Sequence, residues 1–149
     1  MFVELCSLSN QNCVAVQCQK YNNYKMANIY HQIYVHIIFS VKQRETLLPT
    51  SKKDELHKYI TGIVKNKNCE LIAINSMPDH IHIFIGLHPT SNISELVKKI
   101  KTSSTELIKT NKWCKTKFSW QDGYGAFSYG HSQIEHVYKY IMNQEEHHR

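Results

Sequence analysis

At 149 residues, with 42% apolar and 20% charged residues, the chain has the length and composition of one globular domain with a hydrophobic core. No apolar run reaches the ~20 residues a membrane-spanning helix needs, and residues 1–25 lack the basic start and apolar block of a secretory signal. A net charge of +6 suits a polyanionic partner, and five scattered cysteines without Cys-x-x-Cys argue for reduced thiols in the cytoplasm, against a disulfide framework or thiolate zinc.

Residues 1–25 are polar, Asn/Gln-rich and aperiodic, which predicts a tail before a single domain at 26–149, with Met26 as its natural start. From Ile29 to Val41 the chain alternates, with His31, Ile33, Val35, Ile37 and Phe39 on one face and Tyr34, His36 and Ser40 on the other. This predicts a long strand, with His31 at the edge of the core. Lys42 and Arg44 follow in a loop, as candidate phosphate contacts. Thr50 or Ser51 is placed to cap a helix whose apolar stripe is Leu56, Ile60, Ile63 and Val64, ending at Asn66-Lys67-Asn68.

Glu70 to Ser76 reads as a strand, joined through the Met77-Pro78-Asp79 turn to a second strand from His80 to Leu87. There Ile81, Ile83, Ile85 and Leu87 point one way, and His80, His82 and Phe84 the other. Two imidazoles on a rigid strand, backed by a packed core, suit a divalent metal. His-x-His alone is common on solvent faces, so a metal site requires a further ligand.

A second helix is predicted from Ser91 or Asn92 to Thr110, buried through Ile93, Leu96, Val97, Ile100, Leu107 and Ile108. Lys98, Lys99 and Lys101 stand near or outside that stripe. Lys109, Lys112, Lys115 and Lys117 continue the basic run, interleaved with Trp113 and Phe118. Aromatics among lysines suit single-stranded nucleic acid, although many solvated helix faces look the same. Phe118 to Tyr129 holds a strand and an Asp122-Gly123 turn, and Ser132-Gln133-Ile134-Glu135 reads as a capping box starting a last helix. Strand, helix, strand, strand, helix, strand, helix is the order of a ferredoxin-like α+β sandwich with an added C-terminal helix.

On the last helix Ile134, Val137, Tyr138 and Ile141 form the core stripe, and Gln133, His136, Tyr140, Gln144 and His147 a second stripe beside it. Two crossover helices cover one face of such a sheet, so His80 and His82 face the other, where the last helix can lie. Gln144 is then placed to add a third ligand and to bring Tyr140 beside the metal. His136 is a candidate supporting residue.

These residues carry a resemblance to the single-tyrosine HUH (His-hydrophobic-His) transposases of small insertion sequences that move as single strands, and to their repeat-associated relatives. It rests on Tyr34-Val35-His36-Ile37-Ile38-Phe39-Ser40, Met77-Pro78-Asp79-His80-Ile81-His82 and Ser94-Glu95-Leu96-Val97-Lys98-Lys99-Ile100-Lys101. It continues through Trp120-Gln121-Asp122-Gly123-Tyr124-Gly125-Ala126-Phe127-Ser128 and Tyr140-Ile141-Met142-Asn143-Gln144-Glu145-Glu146-His147-His148. The resemblance implies that His80 and His82 are the HUH pair, Gln144 the remaining protein ligand and Tyr140 the nucleophile. It implies Mg²⁺ or Mn²⁺ as cofactor, single-stranded DNA with hairpins as substrate, and a 5′-phosphotyrosine intermediate. It also implies a dimer in which the tyrosine helix of one subunit can complete the site of the other. Family chains continue beyond the His147-His148 pair, whereas this sequence stops at Arg149, as expected of a truncated copy.

Three other readings use the same residues. In an RNA-binding domain, residues 122–129 would act as the aromatic octapeptide of an RNA-recognition motif, although its basic first residue is missing and Ala126 replaces an aromatic. A metal-dependent hydrolase would use His80, His82 and His36 with water as nucleophile, leaving Tyr140 and Gln144 idle. A decayed transposase would bind DNA hairpins without cutting them.

Overall fold

The protein is described here by a computed structural model covering residues 30–144. The expected tail, the beginning of the first strand at Ile29 and the last-helix residue His147 lie outside the described residues. From His31 to Gln144 the described residues form one compact unit.

The elements are β1 (Tyr34–Ser40), α1 (Lys53–Asn66), β2 (Glu70–Met77), β3 (His80–Gly86), α2 (Ile93–Thr110), β4 (Gly125–Tyr129) and α3 (Ile134–Met142). The strands form one antiparallel sheet in the order β2-β3-β1-β4, the ferredoxin-like arrangement expected from the element order. Strand β1 is shorter than its alternation suggests. Tyr34 already pairs with Gly86 and Tyr129, the last residues of both neighbouring strands, and one backbone bond beyond that pair, Leu87 N–H to the Ile33 carbonyl at 2.7 Å, ends the contact. His31 is consequently exposed, with its ring edge against His88 at 5.8 Å.

Two helix caps differ from expectation. A tight turn at Thr50–Lys52 precedes α1, so neither Thr50 nor Ser51 caps it. Helix α3 starts at Ile134, as expected within a residue, but a similar turn at His131–Gln133 leads into it and the Gly130 N–H is satisfied by Gln133 Oε1 at 2.9 Å, so Ser132 is not its cap. Helix α2 starts as predicted, with Asn92 Oδ1 accepting from the Glu95 N–H.

Helices α1 and α2 cover one face of the sheet. Ile81, Ile83 and Ile85 of β3 and Val35, Ile37 and Phe39 of β1 meet Leu56, Ile60 and Val64 of α1 and Leu96, Val97, Ile100 and Ile108 of α2. Within this core Ser104 Oγ donates to the Ile100 carbonyl and accepts from Trp120 Nε1, which ties α2 to the segment leading into β4. Helix α3 packs on the opposite face, where Val137 and Ile141 bury against Ala73 and Phe84.

A bulge in β2 decides what α3 meets. Leu71 pairs with Ile85 and Ala73 with Phe84, so Ile72 is an extra residue. Before it, Leu71 shares the face of Ile85. After it, Ala73, Asn75 and Met77 lie across from Phe84, His82 and His80, on the histidine face.

Candidate active site

The histidine face is buried beneath α3: His80 is 5% exposed and His82 4%. Their rings stand 5.0 Å apart, centroid to centroid, inclined at 72°. Each imidazole is held by its Nδ1. His80 Nδ1 meets Asp79 Oδ1 at 2.6 Å, and Asp79 is in turn bridged by Arg44 Nε at 3.2 Å. His82 Nδ1 meets His36 Nε2 at 2.9 Å, with the two rings stacked at 5.1 Å and 23°. His36 lies on β1 across from Phe84, diagonal to His82, where long side chains still touch. Burial pushes the His36 pKa down to about 4, so its ring is neutral at physiological pH.

Tyr140 projects from α3 onto this pair. Its ring centroid is 6.1 Å from that of His82 and 6.4 Å from that of His36, edge-on to both. The side chain is 45% exposed, so one side of the phenol touches the histidines while the other faces solvent. Tyr138, also exposed, lies outside the described core, contrary to its expected place in the apolar stripe. Gln144, one turn beyond Tyr140, is buried, and its amide N–H donates to the Tyr140 carbonyl at 3.2 Å. That bond engages the amide nitrogen, and the side chain's lone pairs are those of Oε1. Asn75, on β2 across from His82 of β3, donates to the carbonyls of Ile141 (2.7 Å) and Met142 (3.4 Å). It tethers the helix between Tyr140 and Gln144.

The donor set fits a divalent cation. A carboxylate on His80 Nδ1 keeps the proton there and the lone pair on Nε2, the usual outer partner of a metal-binding imidazole. Among the described residues no three His, Cys, Asp or Glu side chains converge, and the expected third ligand, the amide of Gln144, is buried. Two imidazoles and one amide leave positions open for substrate oxygens.

The other expected site residues divide. Lys98 and Lys99 are exposed on α2, and the sheet separates them from the histidines. Lys101 differs from them: its ammonium donates to the Gln121 and Gly123 carbonyls and lies 5.1 Å over the Phe39 ring, so most of its donors are taken up within the fold. It clamps the turn before β4, where Gly123 takes φ +77°. Burial lowers its pKa, against the pull of Asp122. Arg44 is spent on Asp79 and on Ser40 Oγ (3.0 Å), which ties it to the His80 relay, although it remains largely exposed. Lys42 is exposed beside it, and His136 is exposed on α3. His36, Asp79 and Asn75 were not assigned these roles in the sequence; each acts through a pairing that only the strand register brings about.

An α3 packed on the histidine face also weighs against the RNA-binding reading, because it covers a sheet face that an RNA-recognition motif would use for base stacking.

Comparison with known proteins gives the fold and the family. A curated relative, the ISDra2 transposase TnpA of Deinococcus radiodurans, is 25% identical over 123 residues, covering 78% of this chain and 86% of that protein. A crystal structure of a transposase-family protein from D. radiodurans R1 shares the fold with a TM-score of 0.63 at 23% identity, covering 81% of this chain and 97% of that one. So does a REP-associated tyrosine transposase solved bound to a REP hairpin, with a TM-score of 0.63 at 17% identity, covering 84% of this chain and 74% of that one. The family described as "Transposase IS200 like" matches residues 29–144, and the chain belongs to that family of transposases.

Proposed function

We propose that the protein cleaves and rejoins single-stranded DNA at hairpin-marked ends, with Tyr140 as nucleophile and His80, His82 and Gln144 as ligands of a divalent cation, Mg²⁺ or Mn²⁺. The observation that carries this reading is the Tyr140 ring resting on His82, beside a second imidazole whose Nδ1 is held by a carboxylate. The hairpin substrate is inferred from the REP-hairpin complex of the structural relative.

A phenol in water ionises only near pH ~10, and a phosphodiester repels anions. When bound, the cation supplies charge that polarises the scissile phosphate and stabilises a nearby phenolate. The chain's own residues do the rest. Tyr140 Oη attacks phosphorus, the new O–P bond forms as the bond to the 3′ oxygen breaks, and the phenol proton ends on the released 3′-hydroxyl. The DNA 5′ end is then a phosphotyrosine. A 3′-hydroxyl attacking that phosphorus reverses the exchange, returns the proton to Tyr140 and joins the strands without an external energy source. Asp79 and His36 hold the imidazoles, and Asn75 holds the helix that carries the nucleophile.

Exposed Lys98, Lys99 and Lys42 are read as phosphate contacts. The assembly is read as a homodimer in the cytoplasm; no described helix is long and apolar enough to cross a membrane. Within one chain the Tyr140 ring already meets that of His82, which supports a site completed in cis. Exchange of α3 between subunits would rebuild it in trans.

The test is to incubate the protein with single-stranded oligonucleotides carrying the hairpins that flank its gene, with Mg²⁺ or Mn²⁺, and to resolve the products under denaturing conditions. The expected outcome is a protein–DNA adduct that Tyr140→Phe abolishes while DNA binding persists. Cutting without an adduct would point to a hydrolase, and binding without cutting to a decayed transposase.

A further inference from the structure

We infer that His36 is a positioning residue for the metal site: its Nε2 accepts a hydrogen bond from His82 Nδ1–H and thereby keeps His82 in the tautomer whose Nε2 can bind a cation. The inference rests on the proposed metal role of His82 and assigns a task to a histidine which that role leaves unexplained.

The geometry is specific. His36 and His82 come from adjacent strands, 46 residues apart in sequence, and their ring nitrogens meet at 2.9 Å. Both rings are buried, and they stack nearly parallel. His36 is also enclosed by Phe84, Tyr129, Phe127 and Tyr140, with ring centroids 6.4 to 6.5 Å away, so it has little room to turn. A neutral imidazole has one donor and one acceptor nitrogen. A proton shared between two such rings sits on either His82 Nδ1 or His36 Nε2. Only the first arrangement leaves a lone pair on His82 Nε2. His80 receives the same service from Asp79. The two imidazoles are thus set by different outer partners, one a carboxylate and the other a ring. Outer partners of metal-binding histidines are worth about 10- to 100-fold in metal affinity.

A shape-filling residue would satisfy packing but not the proton. His36→Leu fills the pocket without an acceptor, whereas His36→Gln can place an amide oxygen near the position of the lost Nε2. The experiment reads the His82 tautomer by ¹⁵N–¹H correlation spectra of the metal-free protein. In parallel, Mn²⁺ binding is followed by paramagnetic resonance, with His82→Ala as reference and thermal midpoints measured for every variant. We expect the Nδ1–H form of His82 in the native protein and its loss in His36→Leu. Mn²⁺ affinity should fall about 10- to 100-fold in that variant, and both signals should return in part with His36→Gln. A native His82 protonated on Nε2 would overturn the inference, as would unchanged tautomer and affinity in a folded His36→Leu. So would equal losses in the Leu and Gln variants that follow only their thermal midpoints. If His82→Ala leaves Mn²⁺ binding intact, the metal reading itself fails; the tautomer spectrum still reports on His36.

Discussion

Asn75 offers the sharpest structural test, because it links β2, the strand beside the His80–His82 strand, to the nucleophile's helix by bonds that one substitution removes. Its amide donates to the Ile141 carbonyl at 2.7 Å and, more weakly, to that of Met142 at 3.4 Å. A net hydrogen bond contributes roughly 1 kcal/mol, and a carbonyl left without its donor costs about 1–3 kcal/mol if it stays buried. Asn75→Ala should therefore weaken the docking of α3 by about 2 kcal/mol, which is about a 30-fold rise in the undocked population at ~1.4 kcal/mol per decade. A helix of nine residues does not persist alone in water. Undocking thus unfolds it, and native-state hydrogen exchange reads the event directly. Amides from Val137 to Ile141 should exchange about 30-fold faster, with little change in α1, and adduct formation should fall with them. Asn75→Asp keeps the shape but replaces the donor with an anion facing two carbonyls, so its effect should be at least as large. Unchanged exchange in α3, or equal acceleration throughout the domain, would refute the tether.

Further outcomes follow from the same geometry. Ile141→Ala, at a fully buried position against Ala73 and Phe84, should cost about 2–5 kcal/mol of stability by urea denaturation. The three α2 lysines should separate: Lys98→Glu and Lys99→Glu should each weaken single-strand binding and reduce its salt slope by about 1 without changing the thermal midpoint, whereas Lys101→Met should lower the midpoint by releasing the Gln121 and Gly123 carbonyls. His57 is held at about 4 by burial, aided by Lys53 and opposed by Asp54, with its ring nitrogen 2.9 Å from Ser76 Oγ. The unfolded chain takes up that proton near pH ~6.5. Unfolding therefore binds protons between pH 6.5 and 4, and stability falls as pH drops through that window. His57→Gln should flatten this part of a urea-midpoint profile, and an unchanged slope would exclude His57 as a source.

The parts of the site carried by local periodicity were readable from the chain. His80 and His82 alternate with three isoleucines that the core buries, and Tyr140 and Gln144 are one helical turn apart. The parts made by pairing distant segments were not. The contact between His36 and His82 needs the register of β1 on β3, and Asn75 reaches α3 because the Ile72 bulge turns the rest of β2 over. Strand length has a related cause: alternation runs on through residues 31–33, but the regular ladder ends at Tyr34, where both neighbouring strands end. The caps expected at Thr50, Ser51 and Ser132 were displaced by tight turns, because side-chain type alone does not say where the first helical hydrogen bond forms. The lysines show the same limit. Sequence groups Lys98, Lys99 and Lys101 as one basic patch, yet a turn some 20 residues away takes up the third.

The most direct measurement of the central claim is peptide mapping of the covalent product by mass spectrometry, after nuclease trimming of the attached strand. The account predicts a single modified peptide, with a nucleotide joined through its 5′ phosphate to Tyr140 and a free 3′-hydroxyl on the released fragment. Attachment at another residue, linkage through a 3′ phosphate, or cleaved DNA with no modified peptide would contradict it.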